Sequence, residues 1–150
     1  MIRLKTLLQE SNNSLELAYN RIDGLPVGKL FDDAKNIEIV FKKSIHSWND
    51  VIVTYERYED EHHIVNINVS DIHITQPNIQ SNKVKEMIPN IDELPRINVV
   101  QFTDGEMTIY DGHHRLIANW ALGNQQIKVN LVRLPKYDAS GIDTPYDPTM

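Results

Sequence analysis

The stretch from Ile97 to Leu134 passes from strand to helix and back to strand, and that succession restricts the fold more than any other feature. Ile97-Asn98-Val99-Val100-Gln101-Phe102 and Met107-Thr108-Ile109-Tyr110 are β-branched and aromatic runs flanking Asp104-Gly105, and a DG pair between such runs predicts a hairpin. Helical spacing follows directly: Leu116, Ile117, Trp120 and Ala121 fall in i,i+4 rows, and Gly123 stands where a C′ glycine belongs. Ile127 to Leu134 returns to a strand pattern. A hairpin, a helix and a closing strand in this order predict a mixed α/β (α+β) domain, with Leu116 and Trp120 in its core.

The rest of the chain is read around that block. Leu4, Leu7, Leu8, Leu15 and Ala18 have the spacing of one or two amphipathic N-terminal helices, ended by Asp23-Gly24. Ile37 to Phe41, Asp50 to Tyr55 and Ile64 to Val69 are rich in β-branched and aromatic residues and predict a small antiparallel β-meander. A short strand over Asp71 to Thr75 and a helix from Ser81, with Val84, Met87 and Ile88 on one face, run up to Pro89. The tail from Pro135 carries three prolines and no period, which predicts an extended or disordered arm. The expected organisation is a helical segment over 1–29, the meander over 30–64, an α/β domain over 65–134 and a tail over 135–150. The N-terminal apolar stripe should cover the meander or a protein partner.

Composition narrows the function classes. A chain of 150 residues has room for one core. The absence of cysteine removes disulfide frameworks, thiolate metal sites and cysteine nucleophiles together. Fifteen basic against twenty-one acidic residues give a formal charge of −6, so nucleic-acid contact is disfavoured except locally. No apolar run approaches the ~18 residues of a membrane span, and the N-terminus lacks a secretory pattern. A soluble cytoplasmic protein is the expectation.

Chemistry concentrates in Ile109-Tyr110-Asp111-Gly112-His113-His114-Arg115. A strand that runs straight into a helix leaves the first helical amides pointing outward beside the positive end of the dipole, which makes an anion site. Gly112 permits close approach of a phosphate, Arg115 has the fork that matches phosphate oxygens, and His113 or His114 could donate to an oxyanion or take a proton. The plainer reading keeps equal weight on pattern alone: Asp111 as an N-cap, Gly112 as a turn residue, Arg115 and the histidines as solvated surface.

The run Tyr110-Asp111-Gly112-His113-His114-Arg115-Leu116-Ile117-Ala118, followed by Leu122-Gly123 and the strand Ile127 to Val132, resembles the signature of the ParB/sulfiredoxin superfamily in its ParB-like nuclease-domain branch. Ile72-His73-Ile74-Thr75-Gln76-Pro77, Val84 to Met87 and Ile97 to Val100 resemble that family's first strand, helix and second strand, so the likeness spans roughly residues 65–134. It implies a ParB/sulfiredoxin-like mixed sheet binding a nucleoside triphosphate or ADP with Mg²⁺. Gly112, His113, His114, Arg115, Thr75 and Gln76 would then line the nucleotide phosphates, His113, His114 and Asp111 would be catalytic, and Asp111 would hold the metal.

The branches differ in chemistry. Sulfiredoxins place a cysteine where His113 stands, and chromosome-segregation members carry a Gly-Glu-Arg-Arg type of box. The Asp-Gly-His-His-Arg spelling is similar to a free-serine kinase branch and to ParB-like proteins, some of them phage-encoded, which would put the protein in a host cytoplasm or a virion. The kinases use a glutamate where this chain has Gln76, so Asp71 or Glu86 would have to replace that base. Three functions follow: slow NTP hydrolysis or phosphoryl transfer, a ParB-like nuclease, and a non-catalytic virion or partner-binding module. His46, His73 and the pair His62-His63 read as structural or surface residues, Glu56 to Glu61 as an exposed acidic loop, and Asp71 with His73 as an i,i+2 pair that could assist a metal.

Overall fold

The computed structural model describes residues 14–27 and 34–134, with the backbone of 136–137 and 143–144. In chain order, α1 is described over 14–23, followed by β1 (Ala34–Asn36), α2 (Trp48–Tyr58), β2 (His63–Asn68), β3 (Ile72–His73), β4 (Asn78–Gln80) and α3 (Ser81–Met87). Then come β5 (Ile97–Gln101), β6 (Met107–Asp111), α4 (His113–Ala121) and β7 (Gln126–Arg133), and a short antiparallel pair of β8 (Lys136–Tyr137) with β9 (Asp143–Thr144). Among the described residues no helix is long and apolar enough to cross a membrane.

The expected mixed α/β fold is present. A five-stranded sheet has the order β2-β7-β5-β6-β3, with antiparallel pairs β2/β7 and β5/β6 and parallel pairs β7/β5 and β6/β3. The Asp104-Gly105 hairpin forms, with Gly105 at φ +93° and its amide bonded to the Phe102 carbonyl. Successive strand residues face opposite sides, and the sheet separates them cleanly: Val99 and Leu131 join the larger core, Val100 and Val132 the smaller one. α1, α3 and α4 supply the larger core through Ala18, Ile22, Val84, Leu116 and Ile117; α2 covers the other face with Val51 and Tyr55.

The meander needs correction. Of its three expected strands only Ile64 to Val69 corresponds to a strand, β2, and its partner is β7. Asp50 to Tyr55 lies within helix α2. The Ser47 side chain accepts the Asp50 amide at 3.1 Å and caps that helix, and Val51 and Tyr55 bury one i,i+4 row against β5, β6 and β7. β-propensity mostly records fit to a half-buried surface, and here the apolar face of the sheet requires a covering helix. Ile37 to Phe41 is a turn instead of a strand, with the Val40 and Phe41 amides both bonded to the Ile37 carbonyl.

The N-terminal stripe is resolved in part. Ala18, Ile22 and Leu25 are buried and Leu15 packs beside them, in the same cluster as Ile79, Leu116 and Ala121. The helix therefore packs on the face of the sheet opposite α2, and Leu4, Leu7 and Leu8 lie outside the described residues.

The cap on α2 is testable. Ser47→Ala should cost about 0.5–2 kcal/mol in urea denaturation, whereas Ser47→Asp, which retains an acceptor, should cost much less. Equal losses for both would argue against the capped helix.

Candidate functional site

The site is built where β6 runs into α4. Asn98 pairs with Asp111 and Val99 with Ile109, so Tyr110 is the extra residue of a β-bulge. A bulge breaks the alternation of the strand and re-aims its side chain, and Tyr110 stacks on α2. Gly112 follows as the N-cap of α4, at φ +113° and ψ 32°, with no side-chain cap. A Cβ there would lie 3.0–3.1 Å from the Arg115 guanidinium, in a left-handed backbone that side chains resist, so the turn requires glycine twice over. The Leu116 amide closes the first helical turn on the Gly112 carbonyl. The amides of His113, His114 and Arg115 precede the intrahelical ladder and have no partner within it.

The histidines act as clamps. His113 is 6% exposed, and its Nε2 receives the Thr75 amide at 3.2 Å and the Gln76 amide at 3.3 Å, with the Thr75 hydroxyl at 3.1 Å. His114 Nε2 receives the Gln80 amide at 3.2 Å. A backbone N–H only donates, so each Nε2 carries its lone pair and each neutral ring holds its proton on Nδ1. Burial, then the neighbouring His114, pushes His113 down to about 4 against the opposing pull of Asp111. Burial, then Lys83, lowers His114. Both rings fasten α4 to the segment from Thr75 to Gln80, and the lone pair a general base would use is already engaged.

Arg115 is held by protein acceptors. Its Nη1 donates to the carbonyls of Pro95 (2.7 Å) and Arg96 (3.0 Å), and its Nη2 to Asp111 Oδ2 (3.0 Å), leaving the side chain 12% exposed. The sequence reading aimed this fork at phosphate; the structure folds it beneath Gly112, where it ties α4 to the loop before β5. Asp111 is the last residue of β6, exposed and paired with Arg115.

The turn opens onto a cavity of about 300 Å³ lined by Gln76, Met87 and Asp111 to Arg115, with Trp48 and Tyr110 as its aromatic side. Gln76 lines this edge, whereas Thr75, whose amide and hydroxyl meet His113, is not among the lining residues. Neither Asp71 nor Glu86, the two candidate replacements for the missing base, lines it. A larger hollow of about 590 Å³ lies away from the turn, beside Arg21, Phe41 and Trp120. Trp48 was absent from the sequence reading of the site because its segment read as part of a meander. The available signal was Ser47-Trp48-Asn49-Asp50, a cap with an acidic first turn.

Two other histidines stiffen the approach to Trp48. His46 stacks on Phe102 at 3.7 Å and pairs with Asp104 at 2.8 Å. Glu106 accepts the hydroxyls of Ser44 (2.7 Å) and Thr108 (2.8 Å) and the Ile45 amide (3.2 Å), with His73 at 3.7 Å. Asp71 belongs to a 3-10 turn and accepts from Asn68, so the strand-face logic that joined it to His73 does not apply. Among the described residues no group of three His, Asp or Glu side chains is arranged to hold a metal ion.

No protein-family model and no curated protein matches the chain. Among solved structures it is similar to the crystal structure of sulfiredoxin from Arabidopsis thaliana, at 27% identity and a TM-score of 0.42, over 47% of this chain and 85% of that one.

The His113 clamp makes stability depend on pH. Its folded value of about 4 lies below the ordinary 6.5, so the unfolded chain binds more protons between those limits and stability falls as pH falls through them. Between pH 7.5 and 5 the loss should be about 2 kcal/mol. His113→Gln, which cannot titrate, should show a shallower pH profile in urea denaturation; parallel profiles would remove the clamp from the account. Arg115→Ala should lower stability by about 1.5–3 kcal/mol, the value of a charged hydrogen bond, and a neutral result would show that its three contacts are dispensable.

Proposed function

We propose that this chain is a ParB/sulfiredoxin-type nucleotide-binding domain that receives phosphate at the start of α4. One observation carries the reading: three helical amides with no side-chain cap, at a glycine turn packed against the Arg115 guanidinium, border a cavity of about 300 Å³. Backbone donors and the helix dipole together favour an anion at such a point. The Asp-Gly-His-His-Arg run and the mixed sheet around it are what the family resemblance leads one to expect.

The residues fit binding better than rapid catalysis. Sulfinic-acid reduction is excluded because no cysteine exists to perform it. His113 and His114 both have Nε2 engaged by backbone amides, so they position Thr75 to Gln80 against the turn. Gln76 lies at the cavity edge with an amide that forms hydrogen bonds and cannot deprotonate an acceptor hydroxyl. Mg²⁺ bound with the nucleotide would neutralise phosphate charge, and Asp111 is the carboxylate at the cavity that would hold it. The function proposed is nucleotide binding with slow NTP hydrolysis. A nuclease would need a free base at the same turn and a surface suited to a polyanion, against a formal charge of −6.

Thermal unfolding with ADP, ATP, GTP or CTP, with and without Mg²⁺, provides the test. A ligand at a hundred times its Kd should add ~2.7 kcal/mol of stability. Phosphate release from ATP should be slow, and free serine should not be phosphorylated at an appreciable rate. If neither nucleotides nor tripolyphosphate shift the transition, the proposal fails. Fast transfer to serine that survives Asp71→Asn and Glu86→Gln would show that Gln76 had been misread.

A further inference from the structure

Helix α2 carries an exposed aromatic wall beside the α4 turn. Trp48, its first residue, is 40% exposed and stacks on Tyr110 with centroids 6.0 Å apart and planes 20° apart. Tyr110 in turn lies face to face on Tyr55, at 4.2 Å and 6°. The stack is held from several sides. The Tyr55 hydroxyl donates to Asn98 Oδ1 at 2.8 Å, the bulge at Tyr110 sets its ring, and the Ser47 cap fixes the start of α2. Core packing does not require a rigid tryptophan at this edge.

Two contiguous hollows meet on this wall. One contains the Gly112 turn, and the other, of about 290 Å³, is lined by Trp48, Ile52, Glu56, Tyr110 and Asp111. Their charges differ in kind. The first offers amide donors. Asp111, paired with Arg115, borders both; the second adds the Glu56 carboxylate and no cationic side chain, so it suits a group that presents N–H donors better than a phosphate.

We infer that Trp48, backed by Tyr110, is the stacking wall for the base of the bound nucleotide, and that Glu56 favours bases carrying an exocyclic amino group. This inference rests on phosphate occupying the α4 turn, and it orients the ligand: phosphates at Gly112 to His114, base toward Glu56. Stacking on an aromatic face is sequence-tolerant and contributes to affinity through area, so discrimination falls to the carboxylate. Adenine and guanine present amino hydrogens to it, whereas uracil presents carbonyl oxygens on either side of its single imide N–H.

The full chain should be titrated calorimetrically with ADP, GDP, UDP and tripolyphosphate. ADP and GDP should bind more tightly than UDP, and Glu56→Gln should narrow that gap. Trp48→Ala should weaken ADP about 5- to 150-fold, the range expected for one stacked base, and leave tripolyphosphate unchanged, which also shows that the variant has folded. ADP should quench tryptophan fluorescence in the wild type and do so far less in Trp48→Phe, where Trp120 alone reports. If Trp48→Ala leaves ADP affinity unaltered, or weakens ADP and tripolyphosphate alike, the base wall is wrong while the phosphate site stands. If the wild type binds none of the four compounds, the phosphate reading fails and the wall fails with it.

Discussion

A neutral imidazole buried at the first residue of α4 holds the two halves of the site together. His113 Nε2 is shared by the amides of Thr75 and Gln76, on the stretch that follows β3. The ring itself is buried, and through these two bonds it fixes the position of the Thr75 to Gln80 segment against the helix. His114 repeats the device one residue on, at Gln80. The cavity exists because these bonds keep its wall and its floor at a set distance.

The opposite wall depends on a different constraint. β6 ends in a bulge at Tyr110, which turns that ring toward α2 while Ile109 stays in the larger core. The chain that leads to α2 is anchored first, through Ser44 and Ile45 on the Glu106 carboxylate and His46 between Phe102 and Asp104. Buried carboxylates need several donors to be tolerated, and Glu106 has them. Trp48 is thus delivered beside the turn by contacts with the tip of the β5–β6 hairpin, far from the phosphate end of the site.

Much of this was legible in the residues, and the exceptions are instructive. The Asp104-Gly105 hairpin, α4 with Gly123 behind it, and β7 could be read because each rests on a local signal: a turn pair, a repeating row, a cap. The glycine turn at Gly112 was equally plain. The residues of α2 read as a strand because Val51, Ile52 and Val53 have strand propensity, and it is the sheet face covered by Val51 and Tyr55 that favours the helix. The histidines and Arg115 were assigned to a ligand because sequence gives the type of a side chain and not the partner it finds. Here Pro95, Arg96, Thr75 and Gln76 are long-range partners, and no spacing along the chain announces them.

Arg115 nevertheless bears on the electrostatics of the turn. Its guanidinium lies 3.0–3.1 Å from where a Cβ of Gly112 would be, so it packs against the turn that borders the cavity. One carboxylate, Asp111, offsets it, but Asp111 is exposed and screened by water while the guanidinium is largely enclosed. Enclosed charge acts over a longer range than exposed charge, since less solvent responds to it. The arrangement adds positive potential to the helix dipole while the guanidinium keeps its protein acceptors. It also explains why the residue before His113 must be glycine: a side chain there would displace the charge and distort the turn together.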